Sequence, residues 1–554
     1  MYRRNQIVKV TFENGKEVKA EYKSKIGDLI KHIGDLDEDI LAVRIDNEVK
    51  SFDYEVVSNC CCEYVRFNSS DGERIYGRSL KFIFFMAVTR LYKNARIEFT
   101  NKMDRDHFAI IHNLNLTEDV VKNIKEEMIK IITADFEFKK MVVTYDEAKA
   151  IYEEMHDEEK LQNLNNRLRG NYTLHECDGL YNYFYGALVP STKYIKNFDL
   201  RLHRNGILLI LPEKDNMNEI KKEVVDNIIY DVYEEHDRLG KILGVENVWE
   251  LNKKVINGDI GSVIRYSEAI HDRKLVELAL NIEKNNDIKL ILIAGPSSSG
   301  KTTFAQKLGV QLGLSGKTPI TISMDNYFKN RVDTPLGEDG KYDFECVEAL
   351  EIELFNEQMK DLIDGKEVIM PVFDFLKGEK VFKPENKLKL KDTDILIVEG
   401  IHALNPTLSE FIKKENKCKI YISPLATLNL DRYTKVSSTD TRLIRRIVRD
   451  VASRGHSVEK TLELWENVRR GEEKYIFPYI GSADYMFNTS LVYEQGVMKT
   501  FVQPLLLQVG RDNKYYSEAR RLYEFSNNFL PIETGEIPVD SIIREFIGDG
   551  CFYR

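Results

Sequence analysis

The segment Gly295–Thr302, which reads GPSSSGKT, constrains the fold of this chain more than any other part of the sequence. It follows a short apolar run, Lys289–Ala294, that is typical of a buried strand, and it precedes Thr303–Leu314, whose apolar residues have helical spacing. A strand, a glycine loop and a helix in this order form a phosphate cradle, because the glycines let backbone N–H groups turn inward and the helix N-terminus adds partial positive charge. We interpret the segment as a Walker A loop rather than as a plain glycine-rich turn.

In a Walker A loop, the lysine reaches the β- and γ-phosphates of a nucleoside triphosphate, and the hydroxyl after it binds Mg²⁺. Lys301 and Thr302 hold these two positions. The residues predicted to bind the nucleotide are Gly295, Pro296, Ser297, Ser298, Ser299, Gly300, Lys301, Thr302 and Thr303.

The composition is that of an ordinary globular protein, and it argues against several other classes. With 554 residues, the chain is long enough for three or four domains. Its net charge of −10 disfavours attraction of nucleic acid over the whole surface, although a local basic patch is not excluded. The sequence has no apolar run long enough to cross a bilayer, no signal-peptide core at its start, and only seven cysteines, poorly spaced for disulfides. We expect a cytoplasmic protein without membrane contact.

Strand-like and helical patterns alternate from residue 286 to the C-terminus, which predicts a parallel sheet with helices on both faces. The earlier residues mix strands and helices in smaller units. The expected fold class is therefore multidomain, with α+β modules at the N-terminus followed by an α/β P-loop domain.

Two carboxylates follow strands of the predicted parallel sheet. Pro319–Met324 delivers Asp325 to its C-terminal end, the edge at which such sheets bind ligands. A carboxylate there can accept the proton of an attacking hydroxyl, although an ordinary turn aspartate is an equally good interpretation on position alone. Asp394–Gly400 is a second buried strand that ends in Glu399, which could hold Mg²⁺ through water, orient an acceptor, or simply face solvent.

A basic helix is predicted over Thr439–Asp450. Arg442, Arg446 and Arg449 are separated by four and three residues, so they share one helix face. The functional interpretation is a lid that closes over transferring phosphoryl oxygens, and the alternative is a solvated basic face.

These segments together resemble uridine kinases and their relatives, the phosphoribulokinases, over residues 288–490. The resemblance implies a kinase that uses ATP and Mg²⁺, with a nucleoside as the small-molecule acceptor. The corresponding segments, in order, are the Gly295–Thr302 loop, the strand end at Asp325, Tyr342–Glu345, Pro371–Phe375, and Val398–Gly400 followed by the arginine helix.

The family's roles carry over where residues match. Asp325 is then the catalytic base, Glu399 the acid after the second strand, and Glu345 stands where uridine kinases keep an aspartate for the ribose hydroxyls. The predicted catalytic residues are Asp325, Lys301, Arg446, Arg449 and Arg454; the predicted metal ligands are Thr302 and Glu399; and the predicted acceptor-binding residues are Tyr327, Phe328, Glu345, Phe373 and Phe375.

The departures from the family pattern concern the base pocket. Phe373 replaces a tyrosine, Gly378 a histidine and His456 a lid arginine, and an insertion lies around residues 426–438. Loss of hydrogen-bonding groups changes or relaxes base selection. A kinase for another small alcohol, such as a sugar phosphate, is therefore one alternative. A nucleotide-sensing regulator that binds RNA or a partner protein is another.

The rest of the chain divides by pattern. Residues 1–70 resemble a TGS domain and 71–212 the editing domain of threonyl- and alanyl-tRNA synthetases, with 213–287 a helical connector, 288–500 the kinase domain, and 501–554 an extension on the kinase core or an oligomer partner. The positions aligned with the editing domain's zinc ligands are Arg78, Phe82, Phe184 and Leu188, none of which can bind zinc. This layout resembles bacterial uridine kinase-like proteins.

Overall fold

The computed structural model describes residues 7–552, apart from 101–104, 166–169, 185, 215, 221–231, 233–234, 236–237, 338–339, 375–376 and 427. In the described part of the chain, no helix is long and apolar enough to cross a membrane.

The first module is a mixed sheet with one helix. Its elements are β1 (Ile7–Phe12), β2 (Glu17–Glu21), α1 (Ile26–His32), β3 (Ile40–Ile45), β4 (Glu48–Lys50) and β5 (Cys60–Arg66). The strand order is β2-β1-β5-β3-β4, and β1 pairs with β5 in parallel. Cys60 and Cys62 face the core while Cys61 is exposed, because successive side chains of a strand point to opposite faces.

The second module surrounds a long helix. Its elements are α2 (Ser70–Leu91), β6 (Arg96–Phe99), β7 (His107–His112), α3 (Glu118–Ala134), β8 (Lys139–Val143), α4 (Tyr145–Glu154), α5 (Glu158–Asn165), β9 (Tyr172–Cys177), β10 (Leu180–Asn182), β11 (Asp199–His203) and β12 (Gly206–Ile210). They form two antiparallel sheets, β11-β12-β7-β6 and β10-β9-β8. Ser69 accepts a hydrogen bond from the Gly72 amide and so caps the start of α2.

The C-terminal half contains a five-stranded parallel sheet with the order β14-β17-β13-β18-β21. Its strands are β13 (Leu290–Ala294), β14 (Thr318–Ser323), β17 (Asp394–Glu399), β18 (Lys417–Ser423) and β21 (Tyr485–Asn488). Two hairpins lie outside it, β15 (Val368–Asp374) with β16 (Glu379–Leu388), and β19 (Asn429–Asp431) with β20 (Thr434–Lys435). The expected multidomain fold with a parallel α/β sheet is confirmed.

Helices cover both faces of this sheet. They are α6 (Val248–Ile256), α7 (Ile260–Glu283), α8 (Lys301–Leu314), α9 (Ile352–Ile363), α10 (Ser438–Ser453), α11 (Val458–Tyr475), α12 (Glu494–Leu506), α13 (Tyr516–Ser526) and α14 (Arg544–Ile547). Along β13, Ile291 and Ile293 join the core on one face and Leu290 and Leu292 the core on the other. A central strand buried on both faces explains the unbroken apolar run before the loop.

Candidate active site

The loop after β13 has the backbone that its glycines permit. Gly295 lies so close to β18 that a Cβ there would stand 2.3 Å from the Ile422 carbonyl oxygen. Gly300 has a φ of +87° and is the residue from which α8 begins. A side chain at either position would distort the loop. The helix therefore starts at Lys301, two residues before the predicted start, and its first amides face the loop.

Lys301 lies inside this cradle. Its Nζ donates to the Gly295 carbonyl at 3.0 Å and to the Pro296 carbonyl at 3.2 Å. Burial lowers the pKa of this amine, and the nearby Glu399 and Asp325 carboxylates oppose that shift. The lysine thus contacts the loop, and the charges of Glu399 and Asp325 raise the pKa of its amine.

Glu399 is placed by the register of the sheet. It is the last residue of β17, opposite Ser323 at the end of β14 and Ile293 near the end of β13. Its carboxylate is buried and hydrogen-bonded to Ser323, and burial together with the charge of Asp325 raises its pKa to about 7. Lys301, Asp325 and Glu399 thus lie near the carboxyl ends of three neighbouring strands. This is the edge of the sheet that the sequence predicts for them.

These groups fit a magnesium ion. A buried carboxylate whose pKa is raised by a second carboxylate is stabilised in its charged form when a cation lies beside it. Mg²⁺ is bound by one or two carboxylates plus waters and substrate phosphates, so the Glu399 carboxylate and the Thr302 hydroxyl are a sufficient protein contribution. Within the described residues there is no cluster of three His, Cys, Asp or Glu side chains that would form a complete protein cage.

The arginine helix α10 packs against the loop. Arg446 Nη1 donates to Ser297 Oγ at 2.7 Å. Arginines of the helix also form ion pairs with Asp450, whose side chain is fully buried. Arg449 Nη2 lies 2.9 Å from Asp450 Oδ1 and Arg454 Nε lies 3.7 Å from the same oxygen. The three predicted arginines therefore share one carboxylate, and Arg446 is the one that touches the loop.

Two other arginines of α10 are structural. Arg442 forms a buried two-pronged ion pair with Glu472 of α11, and Arg445 Nη2 lies 2.7 Å from Glu494 Oε2 of α12. The sequence groups Arg442 with Arg446 and Arg449 on one face, but Arg442 pairs with an acid of another helix, whereas Arg446 and Arg449 pair with Asp450 of their own helix. Helix spacing alone does not distinguish an arginine that meets an acid on a neighbouring helix.

We expect Arg445→Met to destabilise the protein by about 3–5 kcal/mol, because it leaves the Glu494 carboxylate buried without its cation. Both side chains are at most 1% exposed. Thermal unfolding should show a drop of several degrees in the transition of this half of the chain. The control is Arg273→Met, which removes an exposed pair with Glu277 and should change stability by less than about 0.5 kcal/mol. Equal melting curves for the two variants would contradict the structural role.

Glu345 is a further acid whose pKa is affected by the charge of Asp325. Burial raises its pKa to about 7, while the Arg446 guanidinium lowers it and the charges of Glu472, Asp343 and Asp325 add to the rise. A glycine is required at position 471 of α11, because a Cβ there would lie 2.4 Å from Glu345 Cβ. Glu345 thus packs against α11, close enough to Arg446 and Asp325 for their charges to act on its carboxylate.

Aromatic rings pack together near these acids, since Phe344 precedes Glu345 in the chain and the Phe373 amide donates to Asn326 Oδ1 at 3.2 Å. The Phe328 ring centroid is 5.9 Å from that of Phe373 and 6.2 Å from that of Phe344, both edge-on. Phe344, which directly precedes Glu345 in the sequence, is exposed. Phe375 lies outside the described residues.

Tyr327, which the sequence predicts to contact the acceptor, lies in the core. Its side chain is fully buried, its hydroxyl donates to Gln358 Oε1 at 2.8 Å, and its ring packs edge-on against Phe355. Residues Met324–Tyr327 form one turn of 3₁₀ helix, so Met324 and Tyr327 share the buried face while Asp325 points elsewhere.

Two residues near the site were not found from the sequence. Arg331 lies over Gly378, where a Cβ would stand 2.8 Å from the Arg331 Nε, so the space of a side chain at position 378 is taken by a guanidinium. Glu545 accepts hydrogen bonds from the Thr303 amide at 3.2 Å and from Thr303 Oγ1 at 2.8 Å. Neither contact can be predicted from a local sequence pattern, because the partners are separated by 47 and 242 residues.

The comparisons with known proteins match the same part of the chain. The model of the phosphoribulokinase / uridine kinase family matches residues 290–492. The uridine kinase of Borrelia garinii subsp. bavariensis is 30% identical over 223 residues, which are 39% of this chain and 95% of that protein. The uridine kinase of Macrococcus caseolyticus is 31% identical over 182 residues, 33% of this chain and 78% of that protein. The uridine kinase of Ligilactobacillus salivarius is 28% identical over 185 residues, 33% of this chain and 76% of that protein.

The matched segment contains the loop, both strand-end carboxylates and the arginine helix described above. Two of these relatives reach 30% identity over more than three quarters of their own length. The chain therefore belongs to the phosphoribulokinase / uridine kinase family and is a kinase.

Proposed function

We propose that the chain transfers a phosphoryl group from ATP to the hydroxyl of a small molecule, and that this acceptor is a nucleoside phosphorylated at its 5′-hydroxyl. The observation that carries the proposal is that Lys301 lies in the loop after β13, that Glu399 ends β17 beside β13 and Asp325 follows β14 beside β17, and that Arg446 bonds the same loop at Ser297. The names of the three uridine kinases support a nucleoside acceptor.

In the proposed reaction the protein forms no covalent bond to the phosphoryl group. It acts by positioning the triphosphate and the acceptor and by stabilising charge. The loop amides and Lys301 bind the triphosphate, and Asp325 takes the proton of the attacking hydroxyl. Arg446 stabilises the charge that develops on the transferring oxygens. Mg²⁺, held by Thr302 and Glu399, would neutralise phosphate charge when bound.

The acceptor pocket favours a nucleoside over a sugar phosphate, although one contact supports the alternative. Phe328, Phe344 and Phe373 offer a surface on which a base can stack, and Glu345 can accept hydrogen bonds from ribose hydroxyls. Arg331 over Gly378 adds a cation at the rim, which would suit an acceptor that carries its own phosphate.

A panel of acceptors tests the two classes. ADP release from ATP and Mg²⁺ is measured with nucleosides, sugar phosphates and simple sugars, each against an acceptor-free blank. We expect release with at least one nucleoside, at a kcat/KM at least tenfold above that for any sugar phosphate. A preference for sugar phosphates would replace the nucleoside with the alternative acceptor. Tight ATP binding without acceptor-dependent release across the panel would contradict the kinase proposal.

We expect Glu345→Gln to raise the KM for the acceptor about 10- to 100-fold, because hydrogen bonds to a charged group contribute about 1.5–3 kcal/mol. With a pKa of about 7, Glu345 is protonated below that pH and ionised above it. The wild-type KM should therefore fall as the pH rises from about 6 to 8, and the variant should show a smaller fall, because Glu399 still titrates in this range.

The matched control is Glu348→Gln, three residues along and exposed, which should leave both the KM and its pH profile unchanged. A wild-type KM that rises with pH, or a variant with the wild-type profile, would contradict the role of Glu345.

We also propose that residues 1–70 are a TGS-like module and residues 71–212 an editing-like module without a metal site. The assignment of the second module is supported by the contacts among the positions aligned with zinc ligands. The Phe82 and Phe184 rings lie 5.5 Å apart, and Arg78 Nη2 donates to the Ala187 carbonyl at 2.9 Å, next to Leu188. In an editing-like module, an arginine and aromatic rings would thus stand where the zinc ligands do. Zinc analysis of the purified protein should give less than about 0.1 equivalents.

A regulatory role for these modules is the second candidate function, and a chain of ion pairs favours it. Arg74 of α2 lies 3.0 Å from Glu518, Glu518 lies 2.8 Å from Arg521, and Arg521 lies 2.7 Å from Asp440 in the first turn of the arginine helix. The hairpin β19–β20, which directly precedes that helix, contacts α2 through Tyr433. A ligand or partner of the second module would therefore act on the helix that carries Arg446.

A further inference from the structure

The C-terminal segment lies directly on the phosphate-binding loop. Ile542 is buried against Gly300, where a Cβ would stand 2.6 Å from the Ile542 Cγ2. The segment is held on both sides of this point, since Asp540 accepts a hydrogen bond from Lys307 at 3.1 Å and the Phe546 ring lies 4.9 Å from the Arg445 guanidinium carbon. Residues 540–546 therefore have a fixed position relative to the loop.

Within this segment, Glu545 binds the start of the loop helix α8. Its Oε2 accepts from the Thr303 amide and from Thr303 Oγ1. Thr303 is the third residue of α8, so its amide is one of the N–H groups that have no partner within the helix. These amides, with the positive end of the helix dipole, are the groups that bind phosphate in a loop of this kind. A carboxylate occupies donors that an anionic ligand would use.

The charge of Glu545 also affects other residues of the site. It raises the pKa of the Lys301 amine and the pKa of the Glu399 carboxyl group. A triphosphate bound to the same amides would bring more negative charge to within a few ångströms of this carboxylate. Two anions that share one donor pair repel each other, so either the nucleotide binds less tightly or Glu545 moves away.

We propose that Glu545 is an intramolecular competitor for the phosphate subsite at Thr303, and that the C-terminal segment is a latch from which nucleotide binding displaces this side chain. The inference rests on the proposed function in that the loop binds a nucleoside triphosphate. It adds that the affinity for the nucleotide is set in part by a residue at the far end of the chain. Anything that holds residues 540–546 in place would weaken nucleotide binding, and anything that lifts them would strengthen it.

The test is nucleotide affinity in the full chain, measured by titration calorimetry with ADP and with a non-hydrolysable ATP analogue at constant ionic strength. Glu545→Gln keeps the size of the side chain and removes its charge. We expect the dissociation constant to fall about five- to tenfold for both nucleotides. The control is Glu536→Gln, an exposed glutamate of the same tail that pairs with Arg265, and it should leave the affinity unchanged.

Hydrogen exchange gives a second readout. Nucleotide binding to the wild type should speed exchange of amides around residues 544–547, whereas a firm structural contact would show slower exchange. An unchanged or weaker affinity in Glu545→Gln would overturn the latch and make Glu545 a positioning residue of the loop. Absence of nucleotide binding in both wild type and variant would instead overturn the proposed function, and the latch with it.

Discussion

Asp325→Asn is expected to lower kcat by about 10²- to 10⁴-fold, the range that a positioned general base contributes. The asparagine keeps the size of the side chain and the 3₁₀ turn that presents it, but it cannot take the proton of the attacking hydroxyl. The dissociation constant for ATP should stay within about threefold, because Asp325 lies beside Lys301 rather than among the loop amides. The effect should therefore appear in turnover and not in nucleotide binding.

The measurement is steady-state ADP release at saturating ATP with the best acceptor from the panel, together with calorimetric ATP titration. Asp333→Asn is the matched control, since Asp333 is exposed, follows Asp325 by eight residues and carries no proposed role. A kcat within threefold of the wild type would remove Asp325 from the reaction. A parallel loss of ATP affinity would make it a binding residue.

Arg446→Gln is expected to lower kcat still further, by about 10³- to 10⁵-fold, as the loss of an arginine that stabilises a transferring phosphoryl group does. Arg446 bonds the loop through the Ser297 hydroxyl, whereas Arg442 and Arg445 reach backbone carbonyls of the loop, and the charge of Arg446 lowers the pKa of Glu345. Arg446→Lys should recover part of the activity, because it keeps the charge but not the planar guanidinium.

Two comparisons separate this role from a structural one. Arg470→Gln, an exposed arginine on the neighbouring helix, should retain full activity. Arg445→Met should lower the melting temperature, whereas Arg446→Gln should change it much less, since Arg449 still pairs with Asp450. A lowered melting temperature with normal kcat in Arg446→Gln would place Arg446 with the structural arginines.

The parts of the site that the sequence predicts are those fixed by strand ends. Once Lys289–Ala294 is interpreted as a buried strand, the position of the loop follows, and parallel pairing brings Asp325 and Glu399 to the same edge. Phe328 and Phe373 do contact each other, as a shared pocket requires. Their roles in binding stay predictions.

The parts that the sequence does not predict depend on long-range packing. Tyr327 and Phe328 are equivalent as neighbours in sequence, but the 3₁₀ turn directs one into the core. Arg442 and Arg446 are equivalent by helix spacing, but Glu472 of another helix meets only the first with a close ion pair. The insertion at 426–438 is visible as an extra segment, whereas its contact with α2 depends on the arrangement of two modules.

The most direct test of phosphoryl transfer to a nucleoside is to follow labelled γ-phosphate from ATP to the acceptor and to identify the labelled product by mass spectrometry. We expect one labelled product, the 5′-monophosphate of a nucleoside, formed by the wild type and reduced at least a hundredfold by Asp325→Asn. Label that appears only as inorganic phosphate, at the same rate with and without acceptor, would contradict this expectation.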